Sequence, residues 1–379
     1  MKRNLWCMYA IALLQGMVFY GPIATLYRQA QGVSIIQITL IESISLALCI
    51  LLEVPWGILA DWLGYKRTMV TCCFLYFLSK LVFWQATGFG GFLLERIMLS
   101  VVIAGLSGVD TSILYLSCGG QDSQRIFGLY NSLQTAGLLL AALTFSLVIG
   151  DNYPLAGGLT ALSYGAAALC SLGLTEVKGP ARFSLKLTLN LLRQTLANRR
   201  LLLLLLSGAL LIEVHQTITT FLNQLQYARC GLPEWAIGVL YIAATVLGMA
   251  GIWSANFTGK TGTAGAAFLL FGGGALACAV LALSDTALPS ICAILTLRLC
   301  GSLFQPFQTE LQNRQVTTEH RATALSVHAM IMDTVGVGTN LAFGALAEVD
   351  LAHAFWFGGG ICLIGLVLFF IWYQSYPHA

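Results

Sequence analysis

The chain has 379 residues, 58% of them hydrophobic and only 9% charged, with 19 basic against 16 acidic side chains and a net charge of +3. A soluble domain carries about a quarter charged residues to cover its surface, so this composition excludes one and leaves lipid as the main environment. The basic residues are scattered along the chain instead of gathered on one face, which excludes a nucleic-acid partner.

A bilayer-spanning helix needs about 20 apolar residues, which leaves room for about a dozen spans and only short loops. Apolar runs bounded by glycine, proline and charge predict twelve spans, at about 5–27, 34–60, 68–87, 92–117, 126–149, 154–174, 200–227, 235–257, 263–284, 288–313, 322–347 and 352–374. The first follows Met1-Lys2-Arg3 directly. It is too long for a signal peptide and has no cleavage site, so it is read as a span. One long polar interruption, Thr175 to Arg199, divides the spans six and six. The expected fold is an all-α membrane protein of twelve transmembrane helices in two pseudo-symmetric six-helix halves, 1–174 and 200–379, joined by a linker at 175–199. Within that linker Phe183, Leu187, Leu191 and Leu192 recur at helical spacing among basic residues, the pattern either of a short helix on the membrane surface or of a flexible connector.

With a cytoplasmic N-terminus, the inner loops collect 14 of the 19 basic residues, including Lys66, Arg67, Arg125, Lys186, Arg193, Arg314 and Arg321. The outer side receives Arg28, Arg96 and Arg229, while Lys80 and Arg298 fall inside spans. This asymmetry places both termini in the cytoplasm and the chain in the cytoplasmic (inner) membrane as a multi-pass protein. The eleven cysteines form no C-x-x-C pair and no zinc spacing, so they read as small packing residues. Spans six, nine and twelve have no ionisable group inside and span three has only Lys80, whose ammonium is expected to reach the outer interface. Every third helix can therefore sit at the periphery, which organises the chain as four triplets.

Between spans two and three stands Gly57-Ile58-Leu59-Ala60-Asp61-Trp62-Leu63-Gly64-Tyr65-Lys66-Arg67. Gly57 and Gly64 permit close helix approach and a tight turn, Asp61 supplies an acceptor at a helix boundary, and Lys66 and Arg67 hold the turn at an anionic surface. The stretch resembles the G-x-x-x-D-R-x-G-R-K/R-K/R signature of the major facilitator superfamily, with Trp62 and Tyr65 where basic residues are usual. The resemblance implies a conformational latch that stabilises the outward-open state, with Asp61 at its centre. It also implies pairing of Asp110, at the inner end of span four, with Lys66, Arg67 or Arg125. Ser107 to Tyr115 is similar to a stretch of small bacterial members, and Arg96 stands where members carry a span-four arginine. The span-five Gly-Pro signature of drug antiporters is absent from Thr135-Ala136-Gly137-Leu138-Leu139. Glu53, in Leu52-Glu53-Val54-Pro55, is expected to support this latch.

Span seven presents Glu213, Gln216, Thr217, Thr220 and Gln224 at spacings of three or four, one polar stripe that lipid does not tolerate unless it lines water. Glu213, near mid-span, is either a proton carrier or substrate counter-charge, or half of a structural ion pair. His215 points elsewhere and suits an interhelical hydrogen bond. Span ten repeats the pattern with Arg298, Ser302, Gln305, Gln308, Thr309 and Gln312, around a bend at Pro306. Arg298 either binds an anionic substrate group or neutralises Glu213. Gln15, Ser107, Asn131 and Gln134 add polar groups from spans one, four and five. Glu42 and Glu53 share a face of span two about 16 Å apart, and Asp333 lies at mid-depth in span eleven.

The span interiors thus hold Glu42, Glu53, Asp110, Glu213, Glu310 and Asp333 against Lys80 and Arg298. A carboxyl in a desolvated cavity takes up and releases a proton near neutrality, so this excess favours protons or cationic substrates. There is no G-x-x-x-x-G-K-S/T for nucleotide. The histidines, His215, His320, His328, His353 and His378, are too dispersed for an intramembrane enzyme, and a channel would need repeated charged rings. The expected function is a proton-coupled secondary transporter working by alternating access, exporting an amphipathic or cationic compound, with aromatic residues Phe19, Tyr20, Tyr130, Phe221, Tyr241 and Phe304 available for cation–π attraction. The alternative is proton-coupled uptake of a small polar nutrient. The partners expected are a small molecule, protons and the bilayer, with no cofactor or metal, and the protein is expected to be a monomer.

Overall fold

The computed structural model describes residues 2–118, 123–177, 185–316 and 321–375; at 54, 57, 58, 60, 61, 123, 124, 321 and 322 it describes the backbone alone. The regular elements among the described residues are all helices, with no strand. Span one is α1 (Lys2–Gly16) and α2 (Ala24–Ala30), joined by a tight turn at Gly21–Ile23. Spans two and three are α3 (Ile35–Leu63) and α4 (Tyr65–Gln85). Span four breaks into α5 (Gly88–Leu106) and α6 (Val109–Ser117), followed by α7 (Ser123–Thr144) and α8 (Tyr153–Ser171). After the linker helix α9 (Leu185–Ala197), span seven is α10 (Arg199–Thr217) and α11 (Asn223–Arg229). The last five spans are α12 (Glu234–Gly248), α13 (Ser254–Leu283), α14 (Ala287–Gln315), α15 (Arg321–Val349) and α16 (Leu351–Gln374).

By length and apolarity ten helical stretches can cross a bilayer. The run Glu234–Leu283 counts once among them, yet its backbone turns at Gly262 (φ 70°) and it is long enough for two spans. Counted as two it brings the number to eleven, and α8 (Tyr153–Ser171), which is not among the ten, completes the twelve helices the sequence predicts.

The chain forms two compact units. The first comprises Met1–Val33, Ile44–Phe183 and Glu234–Ile242, and the second Ser34–Ser43, Ser184–Pro233 and Ala243–Ala379. In the first, α1 and α7 meet backbone to backbone: a Cβ on Gly16 would lie 2.2 Å from the Gln134 carbonyl oxygen, and one on Gly137 2.2 Å from that of Leu13. Only hydrogen fits at either place. Around this crossing Leu5, Met8, Ile11, Met69, Val109, Leu114 and Ile126 form a buried core that includes Cys73 and Cys118, and all eleven cysteines are free thiols. In the second unit, α9 lays Leu187, Leu191 and Leu192 against Ala324, Val327 and Ile331 of α15. The linker therefore contains a helix, and the apolar face read from its sequence is covered by protein; Phe183 lies outside the described residues.

Candidate functional site: a polar cavity and buried charges

Span four breaks because Gly108 adopts φ +78°, a left-handed backbone that suits glycine, and α6 restarts behind it. Asp110 lies in the first turn of α6, and its Oδ1 accepts the Thr111 N–H at 2.6 Å. The break opens a cavity of about 670 Å³ within the N-terminal unit. Its polar lining is Gln15, Tyr76, Ser107, Asp110, Tyr130, Gln134, Thr135 and Tyr164, and Asp110 is the one carboxylate among the described lining residues. The Tyr164 hydroxyl donates to the Gln15 carbonyl at 2.6 Å, and the Gln15 Nε2 points to Cys73 Sγ at 3.6 Å. Structure thus gathers Gln15, Ser107, Asp110 and Gln134 from three spans. Of the six aromatic residues predicted for a cavity, Tyr130 lines this one. Tyr76 and Tyr164, on spans three and six, reach in although their helices carry almost no charge.

Behind these two tyrosines lies a cluster that sequence reasoning missed. Lys80 is buried, with its Nζ 3.0 Å from Glu95 Oε1 and 3.0 Å from the Tyr20 hydroxyl. Its ammonium also stands 5.3 Å from the ring centroid of Tyr76, 5.6 Å from that of Tyr164 and 5.7 Å from that of Tyr20. The expectation that Lys80 extends to the outer interface is therefore corrected: Glu95, 1% exposed, supplies a closer partner in the same unit. Arg28 is buried beside Phe83 and Phe92. The inventory of interior charge changes accordingly, since Glu95 and Arg28 join it while Glu310 is exposed and paired with Arg314 at 2.9 Å.

In the C-terminal unit Glu213, His215 and Arg298 are each seated against a glycine of a neighbouring helix. The Glu213 carboxyl fills the space over Gly336 of α15, where a Cβ would come within 2.8 Å, and Asp333 stands one turn away on the same helix. The His215 ring fills the space over Gly301 of α14, and the Arg298 guanidinium that over Gly248 of α12. Arg298 Nε donates to the Ala244 carbonyl at 3.0 Å, and its Nη1 lies 3.4 Å from His215 Nε2. Residues two apart on a helix point about 200° apart. Glu213 thus meets α15 while His215 and Arg298 meet on another side of α10. Thr217 donates to Asn340 Oδ1 at 2.9 Å, and Gln308 to the Leu204 carbonyl at 3.1 Å. Gln216 and Gln305 are exposed, Asp333 is half-buried, and Glu42 is buried in the segment Ser34–Ser43 of this unit.

The turn between α3 and α4 is made by Gly64, φ +87°. The carboxylate that meets it is Glu176, whose Oε1 accepts the Lys66 N–H at 3.2 Å and whose carboxyl would touch a Cβ on Gly64. Glu53 is half-buried and Arg67 exposed. Gly57 is described by its backbone alone, and the side chain of Asp61 lies outside the described residues.

Twelve apolar helices, with a polar cavity inside the N-terminal unit, define a membrane-transporter architecture. The chain matches the Major Facilitator Superfamily over residues 5–339 and belongs to it. It is 27% identical over 168 residues to an uncharacterized MFS-type transporter of Methanocaldococcus jannaschii, a match covering 44% of this chain and 40% of that one. It is 28% identical over 131 residues to the L-fucose-proton symporter of Escherichia coli, covering 34% of this chain and 30% of the symporter. Both matches span less than half of either relative. Among solved structures the nucleoside transporter NupG superposes with a TM-score of 0.83 at 17% identity, covering 98% of this chain and 99% of that one. A peptide transporter POT superposes with a TM-score of 0.76 at 16% identity, covering 98% and 94%. At these identities the likeness is one of fold.

Proposed function

We propose that this superfamily member is a proton-coupled secondary transporter of the cytoplasmic membrane that takes up a small, polar, hydroxyl-bearing molecule. The observation that carries the reading is the lining of the 670 Å³ cavity, where two amides, three tyrosines, a serine and a threonine surround a single carboxylate. Amide and hydroxyl groups match the donors and acceptors of a neutral polar solute, and aromatic faces cover its apolar face. The match to a symporter of a sugar and protons supports this reading. Asp110 is the substrate-facing acid, and Glu213, with Asp333 beside it, is the proton-carrying group of the C-terminal unit. Gln216, Gln305, His215, Arg298 and Glu42 are its further candidate polar contacts, and both termini lie in the cytoplasm on the charge asymmetry of the loops.

Export of a cationic amphipathic compound is the second reading. Asp110 beside three tyrosine rings is also a set that attracts a cation. One experiment separates the two: thermal unfolding of the purified chain with sugars, nucleosides, amino acids, organic acids and cationic drugs, followed by transport in proteoliposomes. Uptake requires stabilisation by a polyhydroxylated solute and accumulation that stops when the proton gradient is collapsed. Stabilisation by cationic drugs alone would select export, and accumulation indifferent to the gradient would remove proton coupling.

A further inference from the structure

Helix α9 has more apolar surface than its packing uses. Leu187, Leu191 and Leu192 pack against α15, and Thr188 and Thr195 are buried beside them. Leu185, Leu189 and Leu196 do not belong to that face: at about 100° per residue they align in a second stripe, turned well away from the first. They are 43%, 54% and 52% exposed. Lys186 and Arg193, two turns apart, stand one above the other along the edge of this second stripe, and both are exposed. A recess of about 600 Å³ opens there, lined by Lys186, Leu187, Leu189, Asn190 and Arg193. Beyond Asn198, Arg199 and Arg200 are exposed at the first turn of α10, the start of a stretch long and apolar enough to cross a bilayer.

A stripe of leucines flanked by cations at the mouth of a transmembrane helix has the chemistry of an interfacial helix. The leucines fit the acyl boundary, and the cations fit phosphate oxygens one layer above. We propose that the second face of α9 docks on anionic phospholipid headgroups, with Lys186 and Arg193 as the phosphate-binding pair and Leu185, Leu189 and Leu196 as the apolar anchor. Because the opposite face holds α15, the lipid surface is connected through one helix to the span that carries Asp333 and Gly336. The occupant is a lipid surface and not a soluble acidic partner, because the apolar stripe and the cations lie side by side in the order of a membrane interface. The inference rests on the superfamily assignment and not on the substrate proposed above.

The test uses the full chain in nanodiscs of phosphatidylcholine with and without phosphatidylglycerol. Each basic residue near an anionic surface is worth roughly fivefold in partition. Phosphatidylglycerol should therefore raise the unfolding midpoint of the unaltered chain by several degrees, and the Lys186→Gln/Arg193→Gln variant should lose more than half of that rise. The Arg199→Gln/Arg200→Gln variant should lose less. As a second measurement, the extra fluorescence of Leu189→Trp should be quenched by phosphatidylglycerol brominated in its acyl chains. An equal rise in the Lys186→Gln/Arg193→Gln variant, or an unquenched indole, overturns the proposal. Cross-linking of two copies through position 189 in phosphatidylcholine discs would also overturn it and give this face to self-association.

Discussion

Removal of one partner from the Lys80–Glu95 pair tests whether the buried cluster was read correctly. At 3.0 Å and an effective dielectric of about 20, the two charges attract by about 5–6 kcal/mol before desolvation is subtracted. Both groups are almost fully buried, with side chains 5% and 1% exposed, so a surviving partner keeps its desolvation cost and loses its compensation. The two single variants should differ. In Lys80→Met, Glu95 still feels the positive fields of Arg28 and Arg96, and the cost should be about 1–3 kcal/mol. In Glu95→Gln, Lys80 and the two arginines are left without their shared carboxylate, and the cost should rise to about 3–5 kcal/mol. The double variant should cost less than the sum of the two, because neutral groups of similar shape have little to desolvate. Unfolding in mixed micelles, followed by tryptophan fluorescence, measures all three. Equal costs below about 1 kcal/mol for both singles, or a strictly additive double variant, would refute the claim that the pair is a single electrostatic unit.

Four further outcomes follow from the geometry. Glu213→Gln should fold normally and abolish substrate-driven proton movement in proteoliposomes, read as a loss of external pH change. Gly137→Val places side-chain carbon against the Leu13 carbonyl and should cost about 1–3 kcal/mol, or leave no monodisperse peak on size-exclusion chromatography. Tyr164→Phe removes the hydrogen bond to the Gln15 carbonyl and should cost about 0.5–1.5 kcal/mol in unfolding, together with weaker ligand stabilisation. Glu176→Ala removes the acceptor of the Lys66 N–H, so trypsin should cut faster at Lys66 and Arg67 than in the unaltered chain.

The spans were legible because lipid demands about 20 apolar residues at a time, a signal that survives without any tertiary information. The same signal says little about what a polar residue inside a span touches. Gln15, Ser107, Asp110 and Gln134 were each recognisable as polar groups in apolar runs, yet their convergence depends on the break at Gly108, which a glycine in a glycine-rich chain does not announce. Glu176 was hidden for the opposite reason. It stands in a polar stretch where a carboxylate is ordinary, and only the fold brings it to the Gly64 turn. The linker was legible as one apolar stripe, Leu187, Leu191 and Leu192, among basic residues, but that this stripe faces protein and leaves Leu185, Leu189 and Leu196 exposed is decided by α15.

The Lys80–Glu95 pair could have been found, and the reason shows how buried charge can be read in such chains. Spans three and four are antiparallel neighbours joined at 86–87. Counting back from the turn reaches Lys80 after about as many residues as counting forward reaches Glu95, so helices of equal rise put the two at the same depth. A charge whose opposite lies at matched depth across a short loop has a partner within reach, and it has no need to extend to the interface. The C-terminal unit adds a steric condition to that rule: Glu213, His215 and Arg298 are each accommodated where a glycine of the facing helix leaves out its Cβ. Matched depth supplies the counter-charge, and a facing glycine supplies the room. Lys80 has both a carboxylate and three aromatic rings around it, whereas Glu213 is seated over Gly336 with another acid one turn away. That difference in surroundings is the physical ground for proposing a structural role for the first and proton traffic for the second.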